Sequence, residues 1–309
     1  MKSPNFIKSI SLIILVTIVL SCKQNKEIKL VFPKKVNYES FIIANHLGYF
    51  KGFDIKPTTV KSGINAAEAV SLGSADIAAM GDGPTSILMS QDKKISVVAR
   101  YAKGNKIHRL ISDKNIKTPN DLKGKKIGIQ VGSSTNAAFL GYLKRNNIKL
   151  SEITLVPLSP SNMPEAMKTK QLDAMAGSEP WALNVQNLCK KNVHELANLK
   201  NNQNHFPHLL VANNSLIKNN KKAIKHIIKG LRKANQFIKQ NPEKAAKIAS
   251  KYIGLSPKDE LICISRLDWT LGWENSDLTS LKQTAGFFHA SGKINKIPTI
   301  ENFINNLTE

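Results

Sequence analysis

The residues with the clearest chemical potential lie in one strand-to-helix turn, Val131-Gly132-Ser133-Ser134-Thr135-Asn136. A short apolar run before this turn predicts a strand, and apolar residues at helical spacing follow it. Gly132 permits a tight backbone turn, and Ser133, Ser134 or Thr135 can cap the helix. The first turn of a helix has unpaired N–H groups and the positive end of the helix dipole, so added hydroxyls would complete an anion-binding cradle. The alternative is an ordinary helix cap without a ligand.

Two other turns have the same order of strand, small residues and helix. Met80-Gly81-Asp82-Gly83-Pro84-Thr85 follows one predicted strand, and Ala176-Gly177-Ser178-Glu179-Pro180-Trp181 follows another. In open α/β sheets, ligands bind beyond the carboxyl ends of the strands. The three turns therefore predict a ligand cleft, with two units that can close around its contents.

The elements that must position these turns form two α/β units in tandem. Predicted strands and helices alternate from residue 28 to residue 101, and a similar alternation begins again at residue 107. Most of the chain after residue 221 has helical spacing. Short connections between alternating strands and helices predict parallel sheets covered by helices, which is the α/β class. At 309 residues the chain is long enough for two domains.

The first 22 residues have the pattern of an export signal. A basic start is followed by an apolar run at 10–20 that is too short to span a bilayer unaided. Val19-Leu20-Ser21-Cys22 resembles a bacterial lipoprotein box. We expect residues 1–22 to be a lipoprotein signal peptide with Cys22 as the lipidated residue, followed by a short tether at 23–27. The alternative is plain secretion with a free cysteine.

The charge of the chain is strongly positive, with 45 basic and 22 acidic side chains and a formal net charge of +23. Nearly all of this charge comes from lysines that are spread along the sequence, and aromatic residues make up 6%. Nucleic-acid-binding proteins concentrate basic residues on one face with arginine and aromatics among them. The composition therefore predicts a solvated basic surface, no nucleic-acid partner, and favourable approach of small anions or an anionic membrane.

Signals for metal binding or catalysis are absent from the sequence. Cys189 and Cys263 belong to no Cys-x-x-Cys or Cys/His cluster, so we expect buried thiols, with a disulfide between them as the alternative. The histidines have no metal-binding spacing, and no Gly-x-Ser-x-Gly nucleophile turn occurs. We therefore expect no metal, no cofactor and no enzymatic activity.

Several short segments, taken in order, carry a family resemblance that extends from about residue 28 to residue 300. They include Gly48-Tyr49-Phe50-Lys51-Gly52-Phe53-Asp54, Asp121-Leu122-Lys123-Gly124-Lys125 and Asn241-Pro242-Glu243. These segments follow a lipoprotein-like signal, and together they resemble the sulfonate/taurine/nitrate and thiamine-precursor binding proteins. Members of that family are the substrate-binding components of ABC importers.

The resemblance implies the type 2 periplasmic-binding-protein fold, an α/β fold of two lobes with the ligand cleft between them. Lobe 1 would comprise residues 27–112 plus 209–309, and lobe 2 would comprise residues 113–208. The ligand would contact helix N-termini and neighbouring turns in both lobes. The residues at matching positions are Gly83, Pro84 and Thr85 in lobe 1, and Gly132, Ser133, Ser134, Thr135, Glu179 and Trp181 in lobe 2.

The expected function is capture of a small anionic organic solute, such as an organosulfonate, by lobe closure. Helix N-termini and hydroxyls suit an oxyanion. Glu179, and Asp82 if it faces the cleft, would instead favour a ligand with a cation or N–H donor, so a thiamine-precursor pyrimidine or another nitrogenous ligand is the alternative. We expect a monomer, anchored by lipid to a bacterial membrane, that delivers its ligand to an ABC permease and ATPase. A ligand-sensing lipoprotein would have the same fold.

Overall fold

The chain folds around two five-stranded sheets in the computed structural model, which describes residues 27–104, 106–201 and 204–309. The strands of the first sheet are, in spatial order, β2 (Ile55–Val60), β1 (Ile28–Pro33), β3 (Ile77–Gly81), β10 (Pro207–Asn213) and β4 (Ile95–Lys103). The strands of the second sheet are β7 (Thr154–Pro157), β6 (Lys126–Ile129), β8 (Ala174–Ser178), β5 (His108–Asp113) and β9 (Val193–Asn198). The two sheets with their helices confirm the expected two-lobed α/β fold.

Helices cover both faces of each sheet. The first sheet packs with α1 (Glu39–His46), α2 (Gly63–Ser71), α3 (Asp82–Ser90), α7 (Asn214–Gln240), α8 (Pro242–Ile253), α9 (Pro257–Ile264) and α10 (Asn275–Ala290). The second sheet packs with α4 (Ser134–Arg145), α5 (Met163–Lys168) and α6 (Trp181–Cys189). Within the described residues, no helix combines the length and apolar character needed to span a membrane.

The pleat of the strands builds a separate hydrophobic core on each face of each sheet. In β1, Leu30 and Phe32 enter one core while the intervening Val31 enters the other. In β8, Ala176 and Met175 likewise point into different cores. Because both faces are buried, these strands are continuously apolar, which explains why the sequence pattern predicted them correctly.

The expectation of purely parallel sheets is wrong for one strand in each lobe. β10 runs antiparallel to β3 and β4, and β5 runs antiparallel to β8 and β9. Both strands enter their sheet directly from the other lobe. Among the described residues, no helix lies between β4 and β5 or between β9 and β10, so neither β5 nor β10 turns back to run parallel to its neighbours.

Sheet membership also displaces the expected lobe boundaries. Residues 108–112 lie in the second sheet and residues 207–208 in the first, whereas the sequence placed these segments in the opposite lobes. We therefore propose that the chain crosses between lobes in the segments between Lys103 and His108 and between Asn198 and Pro207.

The two cysteines of the described chain are free and buried. Cys189 packs with the core beside α5, and Cys263 packs with Val36 and Leu183 where the lobes meet. The disulfide alternative is therefore excluded. The expected signal peptide, Cys22 and most of the tether lie outside the described residues.

Candidate functional site

A cavity of about 40 Å³ lies between the two lobes, beyond the carboxyl ends of β1, β3, β6 and β8. We call it the inner chamber. Lobe 1 lines it with Lys35, Asn37, Tyr38, Gly63, Ile64, Gly81, Pro84 and His208, and lobe 2 with His108, Gln130, Ser133, Ser134, Thr135, Pro160, Met163, Ala176, Gly177 and Ser178. Its position matches the ligand position of open α/β sheets.

The turn before α4 has the predicted cap geometry. Gly132 adopts a φ of +81°, which favours glycine, and its N–H donates to Asn136 Oδ1 at 3.0 Å. Ser133 is the N-cap, because its hydroxyl accepts the N–H of Asn136 at 3.2 Å and donates to the Gln130 carbonyl at 2.7 Å. Gly132 therefore shapes the turn without lining the chamber, and the Ser133 hydroxyl is already engaged within its own lobe.

The next two hydroxyls of α4 connect to other elements. Ser134 Oγ accepts the N–H of Gly83 at 3.2 Å, which joins α4 of lobe 2 to α3 of lobe 1. Thr135 Oγ1 lies 2.7 Å from His108 Nδ1 at the start of β5. Both residues are at least nine-tenths buried and line the inner chamber.

The predicted lobe 1 residues have three different positions. Pro84 lines the chamber. Thr85 does not, because it is fully buried and its hydroxyl donates to the Gly81 carbonyl at 2.9 Å. Gly83 forms the contact between the lobes: a Cβ at this position would lie 2.6 Å from the Ser133 carbonyl carbon and the Ser134 nitrogen. The lobes thus meet backbone to backbone in a closed arrangement.

The chamber residues outside the predicted set include Lys35, Asn37, His108 and His208. Lys35 follows β1, and its ammonium donates to Ser178 Oγ of lobe 2 at 3.1 Å. Asn37 Nδ2 lies 2.9 Å from His208 Nε2, while Asn37 Oδ1 and His108 Nε2 are buried and have no hydrogen-bond partner within the described part of the chain. Lys35 could have been found from its place after a parallel strand. The histidines lie just after the two crossovers, whose positions the sequence did not reveal.

Burial sets the protonation states of the ionisable side chains in the inner chamber. It lowers the pKa of Lys35 to about 8, so the ammonium is still charged at neutral pH. Burial lowers the pKa of His208 to about 3, with the charge of Lys35 adding to the effect. Burial, His208 and Lys35 together lower the pKa of His108 well below its ordinary value. Both imidazoles are therefore neutral, and Lys35 is the charged group among the described residues that line this chamber.

The two predicted acidic residues are engaged outside the chamber. Glu179 is fully buried; its Oε1 accepts from Arg109 Nη1 at 2.8 Å and lies 3.1 Å from Arg266 Nε, and its Oε2 accepts the Leu183 N–H at 3.0 Å. Asp82 is also fully buried, and Thr284 Oγ1 donates to its Oδ2. Burial raises the pKa of Asp82, against hydrogen bonds from Ser134, Thr284 and Gly83 that lower it. Neither carboxylate lines the chamber.

Trp181 lines a second cavity of about 370 Å³, which we call the outer chamber. Lys35, Gln130 and Pro160 line both chambers. The other residues lining the outer chamber are Lys61, Ser62, Asn65, Ser159 and Ser161. Across the described ranges, no group of three or more His, Cys, Asp or Glu side chains could hold a metal ion.

Comparison with known families gives one match over most of the chain. The sequence profile of the family described as "NMT1/THI5 like" matches residues 35–245. A protein of Brucella abortus (strain 2308), provisionally named a binding protein, is 27% identical over 218 residues, 68% of this chain and 66% of the relative. The match thus spans slightly less than two thirds of that relative. The taurine-binding periplasmic protein of Escherichia coli (strain K12) is 30% identical over 129 residues, 42% of this chain and 39% of that protein.

Solved structures share the fold over nearly the whole chain. The alkanesulfonate-binding protein SsuA from Xanthomonas axonopodis pv. citri, bound to MOPS, has a TM-score of 0.81 at 20% identity, covering 91% of this chain and 98% of that chain. The desulfurization enzyme DSZB also shares the fold, with a TM-score of 0.69 at 11% identity, covering 91% and 97%. The fold thus occurs in both binding proteins and an enzyme, so the site must decide the function.

Proposed function

Because the chain belongs to the NMT1/THI5-like family, we propose that it is the substrate-binding component of an ABC importer and that it captures a small organosulfonate-like anion by lobe closure. One observation carries this proposal. The inner chamber, enclosed by both lobes, holds the Lys35 ammonium, and no described residue lining it is a carboxylate. An anion in this chamber would neutralise a partly buried charge that has no acidic partner there.

The choice of ligand class follows from the acidic side chains. A cationic ligand, such as a protonated aminopyrimidine, would need a carboxylate in the cleft. Glu179 is instead held by Arg109, and Asp82 by Thr284. The taurine-binding and alkanesulfonate-binding names of the similar proteins support a ligand that carries a sulfonate group.

Binding without chemical conversion fits the chamber better than catalysis does. Thr135 and His108 form a hydroxyl–imidazole pair at 2.7 Å, which superficially resembles an activated nucleophile. A catalytic pair needs a third group to orient the base. His108 Nε2 has no partner among the described residues, so we propose that the pair positions α4 against β5.

Capture would proceed by contact between the lobes around the bound anion. The Lys35–Ser178 and Gly83–Ser134 hydrogen bonds both join lobe 1 to lobe 2. An anion beside Lys35 would add an attraction that exists only in the closed form, which shifts the equilibrium toward closure. The closed protein would then dock on a membrane permease, with an ATPase as the further subunit.

The variant Lys35→Met is expected to bind alkanesulfonates about ten- to hundredfold more weakly at pH 7, because it removes a charge-assisted contact of about 1.5–3 kcal/mol. The wild-type affinity should also decline above pH 8. The bound anion favours protonated Lys35, so binding is full while the free lysine is protonated and weakens by up to about tenfold per pH unit above its pKa of about 8. Isothermal titration calorimetry from pH 6 to pH 10 measures both effects.

Lys34 provides the matched control for this experiment, because it precedes Lys35, is exposed and does not line either chamber. Lys34→Met should keep both the affinity and its pH dependence. An unchanged affinity in Lys35→Met would contradict the assignment of the anion to this lysine.

We also propose that the protein is exported and anchored to a bacterial membrane through a lipid on Cys22. The periplasmic location named for the taurine-binding relative supports export, and the lipoprotein-like box supports the anchor. Cys22→Ala should move the protein from the membrane pellet to the soluble fraction, because two or three acyl chains hold a protein firmly on a bilayer. Cys189→Ala is the control, and continued pelleting of Cys22→Ala in carbonate buffer would argue against the anchor.

A further inference from the structure

The outer chamber continues the binding site toward solvent. It shares Lys35, Gln130 and Pro160 with the inner chamber, so a ligand whose head lies beside Lys35 has room to extend into it. Its walls include the β2–α2 turn with Asn65 of α2, the segment 159–161 between β7 and α5, and Trp181 at the start of α6. The outer chamber holds about 370 Å³, against about 40 Å³ for the inner one.

The charge in the outer chamber has one sign. Lys35 and Lys61 line it, and no described residue of its wall is acidic. Its remaining polar side chains are largely occupied by one another: Ser62 donates to Asn65 Oδ1 at 2.9 Å, and Ser159 lies 3.1 Å from Ser161. The nearby carboxylate of Glu68 accepts from Asn65 Nδ2 at 3.2 Å and does not line the chamber.

We propose that the outer chamber selects an organosulfonate with a second anionic group at its distal end, held near Lys61, and discriminates against a distal ammonium. The inference rests on the proposed function and deepens it, because it names the substrate class of the same site. A dianion would place one charge near each lysine. A zwitterion such as taurine would place its ammonium among two lysines with no carboxylate on the wall to receive it.

Three ligands with the sulfonate and the distal group separated by two carbons test this proposal: β-sulfopropionate, isethionate and taurine. Their distal groups are a carboxylate, a hydroxyl and an ammonium. Titration calorimetry should give β-sulfopropionate about three- to tenfold tighter binding than isethionate, since Lys61 is exposed and one such pair contributes modestly. Taurine should bind more weakly than isethionate.

Variants of single lysines locate the effect. Lys61→Gln should remove the preference for β-sulfopropionate over isethionate, because it should weaken β-sulfopropionate binding more than isethionate binding. Lys229→Gln removes the same charge from an exposed position on α7, which contributes no residue to either chamber, and should keep the preference. Comparing these two variants separates a local contact from the general field of a basic protein.

The possible results separate the preference for a dianion from sulfonate binding itself. If none of the three sulfonates binds, the proposed function fails. If all three bind and taurine equals or exceeds β-sulfopropionate, the dianion preference is overturned while sulfonate capture stands. If the preference exists but survives in Lys61→Gln, the assignment of the distal group to Lys61 is overturned.

Discussion

Replacing Arg109 with methionine is expected to lower the free energy of unfolding by about 3–5 kcal/mol, because it breaks a buried ionic network and leaves carboxylates without their partner. Arg109 is 1% exposed. Its guanidinium donates to Glu179 at 2.8 Å, to Glu195 at 2.8 and 2.6 Å, and to Gln186 at 2.6 Å. Urea denaturation at pH 7 measures the loss.

The exposed Arg232 on α7 provides the control for Arg109. Arg232→Met should change stability by less than about 1 kcal/mol, the usual range for surface positions.

The companion variant Glu179→Gln decides the role of Glu179 itself. If Glu179→Gln is less stable but keeps the ligand preference, Glu179 has a structural role. If its stability is unchanged and its ligand preference differs, Glu179 contacts the ligand.

Gly83→Ala is expected to weaken ligand binding about thirty- to hundredfold while the lobes themselves remain folded. The added methyl group would lie 2.6 Å from backbone atoms of Ser133 and Ser134, and backbone cannot yield as a flexible side chain can. The overlap exists only when the lobes meet. An overpacking cost of about 2–3 kcal/mol therefore falls on the closed form and appears as lost affinity.

Small-angle scattering with and without ligand would accompany the affinity measurement for Gly83→Ala. The variant should remain more extended than the wild type at the same ligand concentration. Gly286→Ala is the matched control, because a Cβ there meets no atom within 4 Å. Wild-type affinity in Gly83→Ala would mean that the ligand-bound lobes approach each other by a different contact.

Local patterns predicted the features that depend on neighbouring residues. Apolar runs located the strands, and the glycine and hydroxyl spacing located the cap at Gly132 and Ser133. Ser134 and Thr135 line the inner chamber, and their contact with a ligand stays a prediction. These features follow from short-range geometry, which a single sequence contains.

The electrostatic features depend on residues that are distant in the chain. Glu179 resembled a cleft residue because it follows a strand, but its partner Arg109 lies 70 positions earlier. Lys35 meets Ser178 only through a contact across 143 positions. Without the relative positions of β1, β5 and β8, the sequence could not show which charged side chain lines the inner chamber and which is paired elsewhere.

The place of β10 in the first sheet has a consequence for the order in which the chain can assemble. β10 lies between β3 and β4, and it is the strand with which β4 pairs among the described strands, whereas the strands of the second sheet all lie within residues 108–198. As the chain emerges from its N-terminus, the second lobe can fold while β3 and β4 still present unpaired edges. Completion of the first sheet waits for residues 207–213, so until this late insertion the new chain presents unpaired strand edges that favour aggregation.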